Sequence, residues 1–189
     1  GDITSLPLLD YIAQTGIPAI FSTGGAQMPE IVEAHEVFKA RNAQHAILQC
    51  TAGYPPKYEE LNLRVIETLR AQFPEQVIGY SGHDNGIAMA LAAYTLGARI
   101  IEKHFTLDRT MKGTDHAFSL EPEGMRKLVR DLNRAQIALG DGVKVVYDSE
   151  NAPVIKMSKS IVAARDLEEG HVLRFEDLAF KSPGVGRSE

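Results

Sequence analysis

Two histidines, His83 and His104, stand where short apolar runs give way to polar loops. His83 follows Val77-Ile78-Gly79-Tyr80 across Ser81-Gly82, and His104 closes Arg99-Ile100-Ile101-Glu102-Lys103. If the two runs are adjacent parallel strands, ~4.8 Å apart, both imidazoles can converge on one ion. Water and substrate oxygens would complete an open site for Mn²⁺, Mg²⁺ or Zn²⁺. The competing reading is that each histidine caps its strand and satisfies nearby backbone groups. No tight His-x-x-x-His spacing supports a metal, so spacing alone weighs toward the cap.

Other strand-end residues carry similar pairs of readings. Ser22-Thr23-Gly24-Gly25 and Ser81-Gly82 set hydroxyls beside glycines, where exposed backbone N–H groups can hold a phosphate or simply form a turn. Asp2 and Asp115 are the acids best placed near the loops, as reacting groups or as solvated carboxylates and helix caps. Glu102 lies two residues before His104, so strand alternation turns both to one face; a buried Glu there needs a partner. Lys103 faces the other way, in a structural role. Tyr54, before Pro55-Pro56, is either a packed loop aromatic or a substrate-facing hydroxyl. The single cysteine, Cys50, excludes an intrachain disulfide and fits a reducing cytoplasm. It closes an apolar run and reads as a buried thiol.

The elements that position these residues alternate. Helical spacing runs over 5–15, 28–40, 58–72, 86–96 and 121–139, with Gly16, Gly97 and Gly140 placed as stops. Pro122 falls in a first turn, where it is tolerated. Between the helices lie short apolar strands at 17–21, 46–50, 77–80 and 99–104. Strand–helix alternation means a parallel sheet with right-handed crossovers. That leaves a (β/α)8 TIM barrel or an open doubly wound sheet. A doubly wound sheet gathers its chemistry at one switch point, whereas here every strand ends in a chemically rich loop, as around a barrel mouth. Four strands are half of the eight a barrel needs. The chain therefore reads as the C-terminal half of a barrel over 1–140.

After Gly140 the rhythm changes. Residues 141–157 have no helical period, contain Pro153 and read as a linker. Strands are expected at 160–164, 171–173 and 179–181, with a helical turn at 175–178. So short a segment cannot bury a core alone, so residues 158–189 read as the start of a small β domain. The 189 residues are 44% hydrophobic and 24% charged, as in ordinary soluble globular proteins. No run reaches the length needed to span a bilayer. A net charge of −5 without a Lys/Arg stripe argues against nucleic acid.

The ordered motifs add a resemblance. Gly79-Tyr80-Ser81-Gly82-His83, Ile101-Glu102-Lys103-His104-Phe105-Thr106-Leu107-Asp108 and Gly113-x-Asp115-His116-x-x-Ser119-Leu120-Glu121-Pro122 closely resemble the sialic acid synthase (N-acylneuraminate synthase) family. Ser22-Thr23-Gly24, Gln49-Cys50-Thr51 with Tyr54-Pro55, and Asn62-Leu63-Arg64 match in the same order. Lys159 to Ala163 with Lys181-Ser182-Pro183-Gly184 resembles the start of that family's antifreeze-like (SAF) domain.

The resemblance implies a (β/α)8 barrel that condenses phosphoenolpyruvate with N-acetylmannosamine or a related N-acyl amino sugar; the alternatives are a synthase for a sugar 6-phosphate or a diacetamido sugar, or a non-catalytic sugar-binding module. By resemblance, His83 and His104 are metal ligands for Mn²⁺ or Mg²⁺, Ser22 and Ser81 bind the phosphate, Asp2 takes part in proton transfer, and Tyr54 and Asp115 contact the sugar. It further implies a cytoplasmic homodimer with small-molecule substrates and neither a membrane nor a nucleic-acid partner. Two departures stand out. Ala52 lies where some members carry Asn or Ser near the phosphate, and the family's upstream lysines and acid are not in this chain. The expectation is that 1–189 alone is inactive, because a dianionic phosphate would lack its main counter-charges.

Overall fold

The computed structural model describes residues 1–182. Two compact units are present, Gly1–Leu139 and a second from Gly140 onward. In the first, α1 (Leu6–Gln14), α2 (Met28–Ala40), α3 (Val65–Gln72), α4 (Ala88–Thr95) and α5 (Pro122–Ala138) alternate with β1 (Ala19–Ser22), β2 (His45–Cys50), β3 (Val77–Gly82) and β4 (Ile101–Lys103). The four strands are all parallel, in the order β1-β2-β3-β4. Sequential order with a helix after each strand is the topology of a half-barrel rather than of a doubly wound sheet, whose order reverses.

Local chemistry explains most boundaries. Pro7, Pro29 and Pro122 each sit in a first helical turn, where their missing N–H is harmless. The Glu30 carboxylate accepts the Gln27 N–H at 2.7 Å and closes the start of α2. Gly97, at φ +107, reverses the chain after α4. On the helix-facing side, Phe21, Ile47, Ile78, Tyr80 and Ile101 pack with Ile31, Phe38, Ile66 and Leu69 in one core. β2 is buried along its whole length, as expected of a central parallel strand.

Three expectations fail for local reasons. The helix anticipated over 58–72 is broken: a 3₁₀ turn at Tyr58–Glu60 precedes α3, and Asn62 between them takes φ +39, incompatible with a continuous helix. In the second unit, residues 141–157 contain a helix, α6 (Asn151–Met157), because Pro153 falls in its first turn and does not interrupt it. Residues 171–173 form no strand. There the chain curls around the Asp177 carboxylate, which accepts from His171 Nε2 at 2.7 Å and the Arg174 N–H at 3.0 Å.

Arg165 pairs with Asp177 as well, at 2.7 Å, and these donors hold its carboxyl down at about 2. Among the described residues of this unit, β5 (Ser160–Ala163) and β6 (Leu178–Lys181) are antiparallel neighbours. The motif residues Pro183 and Gly184 lie outside the described residues. Among the described residues, no helix is long and apolar enough to cross a membrane.

Candidate active site

β3 and β4 run in register to their ends, Gly82 opposite Lys103, so the residues that follow, His83 and His104, emerge side by side. Their ring centroids are 5.0 Å apart with planes at 84°. The loop after β4 then returns. Leu120 donates its N–H to the His104 carbonyl at 2.8 Å, and Thr106 donates to the Leu120 carbonyl at 2.9 Å. This brings Asp115 and Phe118 back toward His104: Asp115 Oδ2 lies 3.7 Å from its Nδ1, and the Phe118 ring is centred 5.0 Å from the imidazole. Tyr54 arrives from the loop after β2 and stacks on His83 at 4.2 Å, its ring more than half exposed.

The nitrogens decide what the pair can do. His83 Nδ1 lies 3.0 Å from the Thr51 carbonyl. A carbonyl only accepts, so Nδ1 donates to it, and Nε2 is the nitrogen left to face the site. A backbone acceptor on one nitrogen is the usual way a ligating imidazole is aimed. For His104, burial first and the neighbouring His83 second hold its pKa below the usual histidine value, partly opposed by Asp115. It is therefore neutral at neutral pH, the state that metal binding requires. His104 and the free Nε2 of His83 fit an ion as a partial ligand set. No group of three or more His, Cys, Asp or Glu side chains comes together for a metal among the described residues. The remaining positions would fall to water and substrate.

The expected phosphate side lies along the opposite face of the sheet from the helices. Ser22, Cys50, Ser81 and Glu102 come one from each strand, and Cys50 pairs with Ser81 and Ser81 with Glu102 in register. The buried Ser81 hydroxyl donates to Glu102 Oε1 at 2.6 Å, so an anion must compete with Glu102 for that proton. Glu102 itself is exposed rather than buried, with Ser81 as its partner. Cys50 is buried as expected, and burial pushes its thiol pKa up. A cavity of about 620 Å³ opens between the loops after β1 and β2, lined by Thr23, Gly25, Cys50, Thr51, Ala52 and Gly53 among others. A depression of about 640 Å³ also occurs at the opposite ends of the strands, around Pro18, Gln44 and Val77. His45 lines it, but His83 and His104 do not.

Of the residues singled out, the structure brings His83, His104, Tyr54 and Asp115 together, and Ser22 and Ser81 into one row beside Cys50. Asp2 is exposed in a 3₁₀ turn before α1 (Asp2–Thr4), and its side chain makes no hydrogen bond or ion pair among the described residues. Sequence reasoning missed Phe118 and the Thr51 carbonyl; the Thr23 hydroxyl, read there as a phosphate or turn group, donates to the Leu48 carbonyl at 3.0 Å and staples β1 to β2. Asp84 was missed as well, although Asp84 directly follows His83 just as Lys103 directly precedes His104.

A parallel α/β half-barrel with polar and histidine side chains at the C-terminal strand ends is the architecture of one half of a (β/α)8 barrel. Comparison with known proteins narrows this. The NeuB family profile matches residues 1–144, and the chain belongs to that family. It is 40% identical over 181 residues to the human N-acetylneuraminate-9-phosphate synthase, covering 96% of this chain and 50% of that protein. It is 41% identical over 191 residues to the N,N'-diacetyllegionaminic acid synthase of Campylobacter jejuni, covering 100% and 57%. Its structure is similar to that of N-acetylneuraminic acid synthetase from Leptospira borgpetersenii in complex with citrate, with a TM-score of 0.73 and 38% identity over 81% of this chain and 53% of the other. The chain spans about half the length of the curated relatives it matches.

Proposed function

We propose that this chain supplies the histidine-bearing half of a nonulosonic acid synthase. In this reading the complete protein condenses phosphoenolpyruvate with N-acetylmannosamine or a related N-acyl amino sugar and releases phosphate. The observation that carries the reading is the His83–His104 pair: ring centroids 5.0 Å apart, with Nδ1 of His83 held by the Thr51 carbonyl so that Nε2 faces the site. Relatives with nonulosonic acid synthase activity, at about this identity over nearly the whole chain, support the same class.

His83 and His104 would hold Mn²⁺ or Mg²⁺, which when bound supplies Lewis-acid polarisation of the sugar aldehyde. Tyr54 and Asp115, beside the imidazoles, would bind and orient the sugar. Ser22 and Ser81 would hold the phosphate of phosphoenolpyruvate, with the Ser81 proton turning from Glu102 to the anion. Phe118 and the stacked Tyr54 ring would keep bulk water off the histidine side. Carbon 3 of phosphoenolpyruvate attacks the aldehyde carbon, water adds at carbon 2, and phosphate leaves. Asp2 is the carboxylate for proton transfer in this scheme. β5 and β6 would open an antifreeze-like domain, and the complete protein would be a cytoplasmic homodimer. The chain 1–189 by itself would be inactive for want of counter-charges to the phosphate.

The test is phosphate release from phosphoenolpyruvate by the full-length protein with Mn²⁺ and a panel of N-acyl sugars. Release that depends on one of the sugars is expected. Release without any sugar, or none with every sugar, would overturn the assignment.

A further inference from the structure

On the helix-facing side of the sheet, behind the histidine pair, lies a charged cluster with no part in the chemistry above. The Lys103 and Asp84 side chains are only 2% and 1% exposed. Lys103 Nζ donates to the Asp84 backbone carbonyl at 2.5 Å and to its Oδ1 at 3.1 Å. The Tyr80 hydroxyl donates to the same Oδ1 at 2.8 Å. Oδ2 is buried and has no hydrogen-bond partner. Gly82 leaves the room this needs: a Cβ there would stand 2.5 Å from the Tyr80 ring and 2.7 Å from Asp84 Oδ1. One amine at the end of β4 thus grips both the main chain and the side chain of the residue that follows His83.

As a source of stability this is a poor arrangement. Desolvation of a buried ion pair offsets much of its attraction, and an unpartnered buried acceptor adds a further penalty. A wall that needed only packing would do better with apolar side chains. What the cluster does uniquely is join the two chain segments that carry the histidines, at the positions adjoining each.

We propose that Lys103 and Asp84, oriented by Tyr80, are positioning residues that lock His83 and His104 into their mutual geometry. In its metal-binding consequence this rests on the functional reading above; the locking itself acts on the rings whatever they bind.

The experiment uses the full-length protein carrying Asp84→Asn with Lys103→Met, a neutral pair of similar shape, and separately Tyr80→Phe. Mn²⁺ alone is titrated by electron paramagnetic resonance, and the histidine ring nitrogens are followed by ¹⁵N NMR, with His35 and His45 as internal references. For the double variant, Mn²⁺ binding about 10- to 100-fold weaker is expected. The His83 and His104 signals should shift or split while those of His35 and His45 stay in place. Tyr80→Phe should move both readouts the same way, by less. A folded double variant with unmoved His83 and His104 signals and wild-type Mn²⁺ affinity overturns the proposal.

If the wild type itself takes up no Mn²⁺, the metal reading fails, and the NMR readout alone decides the clamp: moved His83 and His104 signals support it, unmoved ones overturn it. If the double variant does not fold, Tyr80→Phe carries both readouts with the same criteria.

Discussion

The half-barrel holds two pairs of histidines, and they differ in what their nitrogens are doing. His45 opens β2 and lies against His35 of α2, at the N-terminal ends of the strands. His35 Nδ1 and His45 Nε2 are 2.8 Å apart, and His45 Nδ1 is 3.1 Å from the Ala43 carbonyl. Since that carbonyl accepts, His45 donates through Nδ1 and accepts from His35 through Nε2, and both its nitrogens are occupied. Phe21, Phe38 and Phe73 close around the pair. At the other end, His83 and His104 make no hydrogen bond to each other, and one ring nitrogen of His83 stays open. Proximity of two imidazoles therefore says little. A pair that satisfies itself is core; a pair aimed by its surroundings is available for a ligand.

Four experiments bear on that contrast. The largest effect is expected at the open pair. His83→Ala in the full-length protein should lower sugar-dependent phosphate release by at least about 1000-fold, the scale of removing a group that stabilises transition-state charge, about 4 kcal/mol. Next comes Gly82→Ala, whose methyl would overlap the Tyr80 ring and Asp84. Thermal or urea unfolding should show a loss of about 1–3 kcal/mol, and Mn²⁺ binding should weaken along with it. At the closed pair, His45→Leu leaves His35 without its acceptor and should destabilise by about 1–3 kcal/mol, with Mn²⁺ affinity unchanged. A metal defect in His45→Leu at full folding would erase the distinction between the pairs.

The smallest effect is in pH. Burial, first, and the neighbouring His45, second, hold the His35 pKa below 6.5. As pH falls through 6.5, the unfolded chain takes up a proton that the folded one resists, so stability declines. The contribution is full above pH 6.5 and is lost between there and the lowered folded value. Urea midpoints measured across this window should fall on acidification, and His35→Gln should flatten that slope. An equal slope in the variant would place the titrating group elsewhere.

Much of this arrangement was legible in the residues. Strand–helix alternation was readable because each apolar run ends in a polar turn and three of the five amphipathic stretches end at Gly16, Gly97 or Gly140, and α2 begins and ends where its spacing says. What misled was local backbone chemistry. Asn62 in a left-handed conformation splits an otherwise continuous periodic stretch, and Pro153 falls in the first turn of a helix rather than interrupting one. Around the site, His83 and His104 were visible as strand-end residues, yet spacing alone favoured simple caps, and only the ordered motifs tipped the balance. The Thr51 carbonyl, Phe118 and Asp84 were invisible, because their roles arise from contacts across loops that no spacing rule describes. Lys103 was expected to turn away from the site, and it does, but its partner is the residue after His83. The similarity of His45 to His83 as a strand-end histidine is equally silent about which is ligand and which is core.

One measurement addresses the contrast directly: Mn²⁺ titration of the wild-type full-length protein, of His83→Ala and of His45→Leu, with folding checked by circular dichroism. The account predicts one Mn²⁺ bound by the wild type and by folded His45→Leu, and none by folded His83→Ala. Binding retained in His83→Ala, or lost in a folded His45→Leu, would contradict it.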